Sequence, residues 1–256
     1  MIDVAKSAAR AAGELVMGLY RREIETREKA DRSPVTAADL AASRVIATHL
    51  ASTGLPVLCE EAVIDYAIRK EWTKYWLVDP LDGTKEFLSG TDCFTVNIAL
   101  IESNRPILGV VFAPALATMA WAVEKQGAFL ETPSGVERLT PKKPNQRVCL
   151  TSRSENQDKL SQFFDDNGIQ EAQAIGSALK FIRIAQGHAA LYPRFCQSKE
   201  WDTAAGQIIL LESGGWILEP QTLRPLSYNK EDLSNSHFIV GCGDWDPQSL
   251  KWPEEK

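Results

Sequence analysis

The chain has 256 residues, enough for one large domain or two closely packed halves around a substantial core. Hydrophobic residues make up 44% and charged residues 24%, and a net charge of −6 with no basic run excludes a surface that tracks a nucleic-acid polymer. No apolar run approaches the ~20 residues of a membrane span, the start Met1-Ile2-Asp3-Val4 lacks the features of a signal peptide, and five cysteines without a paired spacing point to free thiols in a reducing cytoplasm.

Asp3 can cap a first helix running to about Glu23, with Val4, Ala8, Ala11, Leu15 and Leu19 on one face. A polar loop over 29–34 leads to Thr36 and Asp39, whose spacing is that of a capping box before a helix reaching about His49. Leu55 to Cys59 reads as a short strand ending in Glu60-Glu61, and residues 64–74 as a connection. Trp76 to Asp79 is a second apolar strand ending in acid, and Pro80 prevents it from continuing regularly. Phe94 to Ile101, Ile107 to Pro114, Thr118 to Val123 and Ala128 to Glu131 predict an antiparallel meander.

Leu139 to Asn145, rich in Pro and charge, is the expected linker between an N-terminal α+β half over 1–140 and a C-terminal α/β half over 147–256. The second half alternates strands at 147–151, 171–175, 189–194 and 237–240 with helices at 155–166 and 177–186 and a third opened by Trp201-Asp202 and running to Glu212. That alternation predicts an α/β layer arrangement.

The chain is organised around Asp79-Pro80-Leu81-Asp82-Gly83-Thr84. Two like charges about 4 Å apart cost about 4 kcal/mol at an effective dielectric near 20, and Lys85 offsets only part of that. A divalent cation relieves the repulsion, and all-oxygen ligands favour Mg²⁺ or Mn²⁺ over zinc. Each acid also has a plainer reading. Asp79 and Asp82 suit a turn, Asp39 and Asp202 suit helix starts, and Glu60 suits a solvated rim. Taken together, Glu60, Asp79, Asp82 and Asp202 form a set that two-metal hydrolysis can use, with Thr84 orienting the water and the N–H groups of Gly83 and Thr84 holding phosphate oxygens. No NTPase phosphate loop or dinucleotide fingerprint is present, and none of the three histidines lies in a carboxylate motif.

The motifs at 79–84, Glu60-Glu61 and Trp201-Asp202-Thr203-Ala204-Ala205-Gly206 resemble the inositol monophosphatase superfamily of lithium-sensitive, magnesium-dependent phosphatases. Stretches 33–39, 75–87, 94–101, 106–114, 176–181 and 191–195 are similar to its branch acting on 3'(2'),5'-bisphosphate nucleotides. The resemblance implies a layered α/β/α/β/α fold and a phosphate-ester substrate, 3'-phosphoadenosine 5'-phosphate, or else an inositol or sugar monophosphate. It implies two or three Mg²⁺ ions, with Mn²⁺ as an alternative. Glu60, Asp79 and the Leu81 carbonyl hold one ion, Asp79, Asp82 and Asp202 the second, and Asp39 reaches a third near Glu60. Thr84 helps activate the water, while Ser177, Lys180 and Arg194 contact the second phosphate and the ribose. The resemblance also admits a homodimer, peripheral membrane association, or a binding protein that keeps the fold. Cys59 and Phe195-Cys196-Gln197-Ser198 depart from the family pattern and bear on substrate shape.

Overall fold

The computed structural model describes residues 1–22, 26–28, 34–140 and 148–253. It begins with α1 (Ile2–Leu19), β1 (Thr26–Glu28), β2 (Pro34–Thr36), α2 (Ala37–Leu50), β3 (Val57–Cys59), α3 (Tyr66–Arg69), β4 (Lys74–Asp82) and α4 (Thr84–Leu88). The meander follows as β5 (Thr95–Glu102), β6 (Arg105–Ala113), β7 (Thr118–Val123), β8 (Gly127–Thr132) and β9 (Gly135–Leu139). Then come β10 (Val148–Thr151), α5 (Gln157–Asn167), β11 (Glu171–Ala174), α6 (Leu179–Ala185), β12 (Leu191–Arg194) and β13 (Ser198–Lys199). The chain closes with α7 (Glu200–Glu212), β14 (Trp216–Leu218), β15 (Ser234–Asn235) and β16 (Phe238–Gly241).

β3 to β9 form a seven-stranded sheet in sequence order, and a five-stranded sheet runs β11-β10-β12-β16-β14. Side-chain alternation along the strands builds the layers. On β4, Trp76 and Val78 join a cluster with Ala5, Ala12 and Val16 of α1 and Ala42 and Ile46 of α2. Tyr75 and Leu77 face the other way, into a cluster with Phe181 of α6 and Ile208 and Ile209 of α7 that also takes in Leu150 and Val240 of the smaller sheet. A third cluster packs Leu160 and Phe163 of α5 on the outer face of that sheet. The result is the expected α/β/α/β/α order.

The expected elements are present with shifted ends. α1 stops at Leu19 rather than Glu23, and Asp3 lies in its first turn while Met1 is the cap residue, with no side-chain cap bond. The connection over 64–74 contains the short helix α3. β4 continues through Pro80, but its register against β5 is regular only to Asp79, which pairs with Asn97, and next matches at Asp82 opposite Thr95. Pro80 lacks the ladder N–H, so the irregularity falls where the sequence places it. Leu139, expected in the linker, ends β9. The remainder of that linker, 141–145, and the polar loop up to 33 lie outside the described residues.

Gly109 lets α7 lie close on the large sheet. A Cβ there would meet Ile208 Cγ2 at 2.5 Å and the Ala205 carbonyl oxygen at 2.6 Å. One of those atoms is backbone, so α7 itself must shift to admit a side chain. Gly109→Val is therefore expected to lower unfolding free energy by about 1–3 kcal/mol, as overpacking does. A urea midpoint equal to the parent's contradicts close packing at this contact.

Candidate active site

The parallel register of β3 and β4, with Cys59 opposite Val78, makes Glu60 and Asp79 the next neighbours, and the Glu60 N–H donates to the Val78 carbonyl at 3.1 Å. Alternation puts Asp79 on the same face as Tyr75 and Leu77, the face that α7 covers. Beyond burial, the neighbouring Glu60 raises the Asp79 carboxyl, both by its charge and by hydrogen bonding to it. Cys59 points the other way, into the α1 and α2 cluster, where its sulfur lies 3.3 Å from Ser43 Oγ. That departure from the family pattern therefore stays off the site.

Asp82 ends β4 and is held by three donors on one oxygen: Ala178 N at 2.6 Å, Asn97 Nδ2 at 3.1 Å and Thr95 Oγ1 at 3.4 Å. Gly83 follows with φ +92°, a left-handed turn that favours glycine. The chain then enters α4 at Thr84. Its hydroxyl lies 3.1 Å from Asp39 Oδ1 and 3.2 Å from the Leu81 carbonyl oxygen. Asp39, 2% exposed, uses its other oxygen to accept from Thr36 N at 2.8 Å and Thr36 Oγ1 at 2.6 Å. Asp202 does the same at the start of α7, where its Oδ2 accepts from Lys199 N at 2.8 Å.

A cleft of about 140 Å³ opens between the two sheets. Of the predicted contact residues, Asp82, Gly83, Ser177, Lys180, Arg194 and Asp202 line it. Thr84, Glu60 and Asp79 do not, and Glu60 borders a neighbouring hollow with Trp201 and Leu233. Lys180 is a buried lysine. It is 4% exposed and donates to the carbonyls of Ser177 at 2.8 Å and Ile175 at 3.1 Å, so two of its three N–H bonds hold the turn before α6. Arg194 donates to Glu155 Oε2 at 3.4 Å and to the Gln197 carbonyl at 3.1 Å. The sequence reading missed Asn97, Glu155 and the cleft residues Glu86, Ser152 and Arg153. A polar Asn97 inside the apolar run of β5 was a usable signal.

The electrostatics are those of crowded acids. Burial, then Glu60, Asp82 and Asp202, raise the Asp79 carboxyl well above the usual range. Burial raises Asp82, although Lys180, Asn97 and the Ala178 N–H oppose it. Asp202 is pushed up to about 8 by burial and then by Asp82. Burial pulls Lys180 down to about 8, against the attraction of Asp82. Among the described residues no three acid, histidine or cysteine side chains close on one point as a finished cage. The donor chemistry nevertheless suits a hard cation: carboxylate and carbonyl oxygens only, with every leading influence on Asp79 unfavourable to its charge. Backbone N–H groups instead hold single oxygens of Asp79, Asp82 and Asp202.

Five layers, with Asp82 at the end of β4 and Asp202 in the first turn of α7 on the wall of one cleft, place the chain among the layered α/β phosphatases. It belongs to the inositol monophosphatase family, whose model matches residues 1–246. It is 40% identical over 245 residues to a Salmonella typhimurium protein named 3'(2'),5'-bisphosphate nucleotidase CysQ, covering 94% of this chain and 99% of that one. The Haemophilus influenzae protein of the same name is 35% identical over 250 residues, 94% of this chain and 91% of that one. Among solved structures, CysQ from Bacteroides thetaiotaomicron superposes with a TM-score of 0.84 at 35% identity, covering 94% and 96% of the two chains. An inositol monophosphatase from Thermotoga maritima reaches 0.79 at 25% identity, covering 93% and 91%. No helix among the described residues is long and apolar enough to cross a membrane.

The raised acids set the pH response of the metal-free protein. With Asp202 near 8 when folded and 3.8 ordinarily, the folded state takes up a proton as pH falls below 8, so this group adds stability between pH 8 and about 4 and none above. Lys180, lowered from 10.5 to about 8, acts above that window and adds stability as pH rises. In EDTA, the thermal midpoint is expected to be higher at pH 6 than at pH 8. Scanning calorimetry showing an equal or lower midpoint at pH 6 contradicts the crowded-acid account.

Proposed function

We propose that this chain is a Mg²⁺-dependent phosphatase that hydrolyses the 3'-phosphate of 3'-phosphoadenosine 5'-phosphate to AMP and inorganic phosphate, recycling a by-product of sulfate assimilation in the cytoplasm. The observation that carries the reading is one cleft with acids Asp82 and Asp202 on its wall and the cations Lys180 and Arg194 facing them. A phosphate ester with a second anionic group suits both sides of it.

In this reading Glu60, Asp79, Asp82, Asp202 and the Leu81 carbonyl would hold two ions, with Asp39 near a third. Bound Mg²⁺ supplies Lewis-acid charge that offsets the phosphate and makes water more acidic. The chain's own groups do the rest. Thr84 Oγ1 donates toward Asp39, which leaves its lone pairs to accept from and aim the attacking water. The water oxygen bonds to phosphorus as the bond to the 3'-oxygen breaks; one of the water's two protons ends on that 3'-oxygen, which leaves as a hydroxyl, and the other stays with the inorganic phosphate. The Gly83 and Thr84 N–H groups hold the transferring phosphate's oxygens. Ser177, the remaining donor of Lys180 and Arg194 take the 5'-phosphate.

The test is phosphate release from 3'-phosphoadenosine 5'-phosphate and from inositol 1-phosphate, with Mg²⁺ and with added Li⁺. A charge-assisted contact to a second phosphate contributes about 1.5–3 kcal/mol, so kcat/KM is expected to favour the nucleotide by about tenfold or more, with lithium inhibiting. Preference for the inositol ester would overturn the substrate while keeping the chemistry. Asp82→Asn removes a carboxylate at nearly constant volume and is expected to reduce release to background with the fold intact. A variant that kept most of its activity would contradict the role of Asp82.

A further inference from the structure

Glu60 and Asp202 reach the site from distant parts of the chain, and one buried side chain joins their supports. The loop after Glu60 runs into α3 and ends at Arg69, which is 2% exposed. The Arg69 guanidinium closes that loop by donating Nε to the Ile64 carbonyl at 3.1 Å. Its other nitrogens reach across to the segment after Tyr228: Nη1 donates to Asn229 Oδ1 at 2.9 Å and the Lys230 carbonyl at 2.7 Å, and Nη2 to the Glu231 carbonyl at 2.9 Å. Asn229 returns the bond, its Nδ2 donating to the Arg69 carbonyl at 2.8 Å.

The same segment grips α7. Glu200, the first residue of that helix, has no exposed surface. It accepts from Asn229 N at 2.7 Å, Lys230 N at 3.0 Å and Lys230 Nζ at 2.8 Å. Asp202 stands two residues further along the same turn. Asn229 itself has φ +69°, a left-handed backbone that glycine adopts most easily. Glycine would serve the turn and its N–H bond to Glu200. Only the amide side chain adds the two bonds to Arg69.

We propose that Asn229 is a positioning residue: through Arg69 it locks the Glu60 loop to the first turn of α7, and so fixes the spacing of Glu60 and Asp202 on which cation binding depends. The proposal rests on the metal reading given above. It assigns Asn229 no contact with substrate. Its effect passes through Arg69, a buried side chain 160 residues away in sequence.

Asn229→Gly tests it cleanly, because the backbone and the bond to Glu200 are retained while both bonds to Arg69 are lost. Mn²⁺ binding is read directly by electron paramagnetic resonance, beside kcat and KM for phosphate release. Affinity is expected to fall about tenfold, the lower end for residues that orient metal ligands, with a smaller loss in kcat at saturating metal. Asn229→Asp keeps an acceptor for Arg69 and is expected to recover most of the affinity. Arg69→Lys, which keeps a buried cation but loses the fork, is expected to match Asn229→Gly. Parental Mn²⁺ affinity in Asn229→Gly or in Arg69→Lys overturns the proposal, whatever happens to stability. So does an Asn229→Asp variant as weak as Asn229→Gly. If the parent protein binds no Mn²⁺, the metal reading itself fails and the positioning role fails with it, an outcome that needs no variant to recognise.

Discussion

Mutual repulsion among buried carboxylates is the constraint on which this structure turns. Asp79 sits with its charge opposed by burial and by Glu60, Asp82 and Asp202 together, and Asp202 is raised for the same reasons. Acids left to themselves in such a place would move apart or hold protons. Two hydrophobic clusters, one on each face of the large sheet, hold the segments that carry them in place, and fixed backbone N–H donors hold single oxygens of Asp79, Asp82 and Asp202. In the proposed reading, that crowding is what a divalent cation would relieve.

The same local device appears twice. Asp39 and Asp202 each stand three residues after the residue whose N–H they cap, and each uses one oxygen for that bond at 2.8 Å. A carboxylate has two oxygens. For Asp39 the second accepts from Thr84, inside the site. Capping a helix and serving the site are therefore not alternatives for these residues. The cap fixes the side chain's rotation, and that fixed rotation presents the second oxygen in a chosen direction. Gly109 contributes on a larger scale, since α7 could not bring Asp202 so near the large sheet over a side chain.

What the sequence disclosed and what it hid divides along physical lines. The acid-ended strands, the capping spacing at Thr36 and Asp39 and the break at Pro80 are local patterns, and each appears where the residues placed it. The meander was legible for the same reason. β9 and β14, short strands at 135–139 and 216–218, were missed, one exposed along most of its length and the other too brief for alternation to register. Lys180 is expected at the second phosphate, but its burial and the folding back of its ammonium onto Ser177 and Ile175 depend on the turn before α6 and are not written in the residue pattern. The Arg69, Asn229 and Glu200 network was invisible because its partners are joined only by the tertiary fold.

The central claim is that cation binding relieves this crowding, and a calorimetric titration of the metal-free protein with Mg²⁺ at pH 7 tests it most directly. Run in two buffers with different heats of ionisation, the titration reports both the number of ions bound and the protons displaced. The account predicts more than one ion per chain and net proton release, because carboxyls raised by one another must give up protons to the metal. Absence of binding, or binding with no proton released, would contradict it.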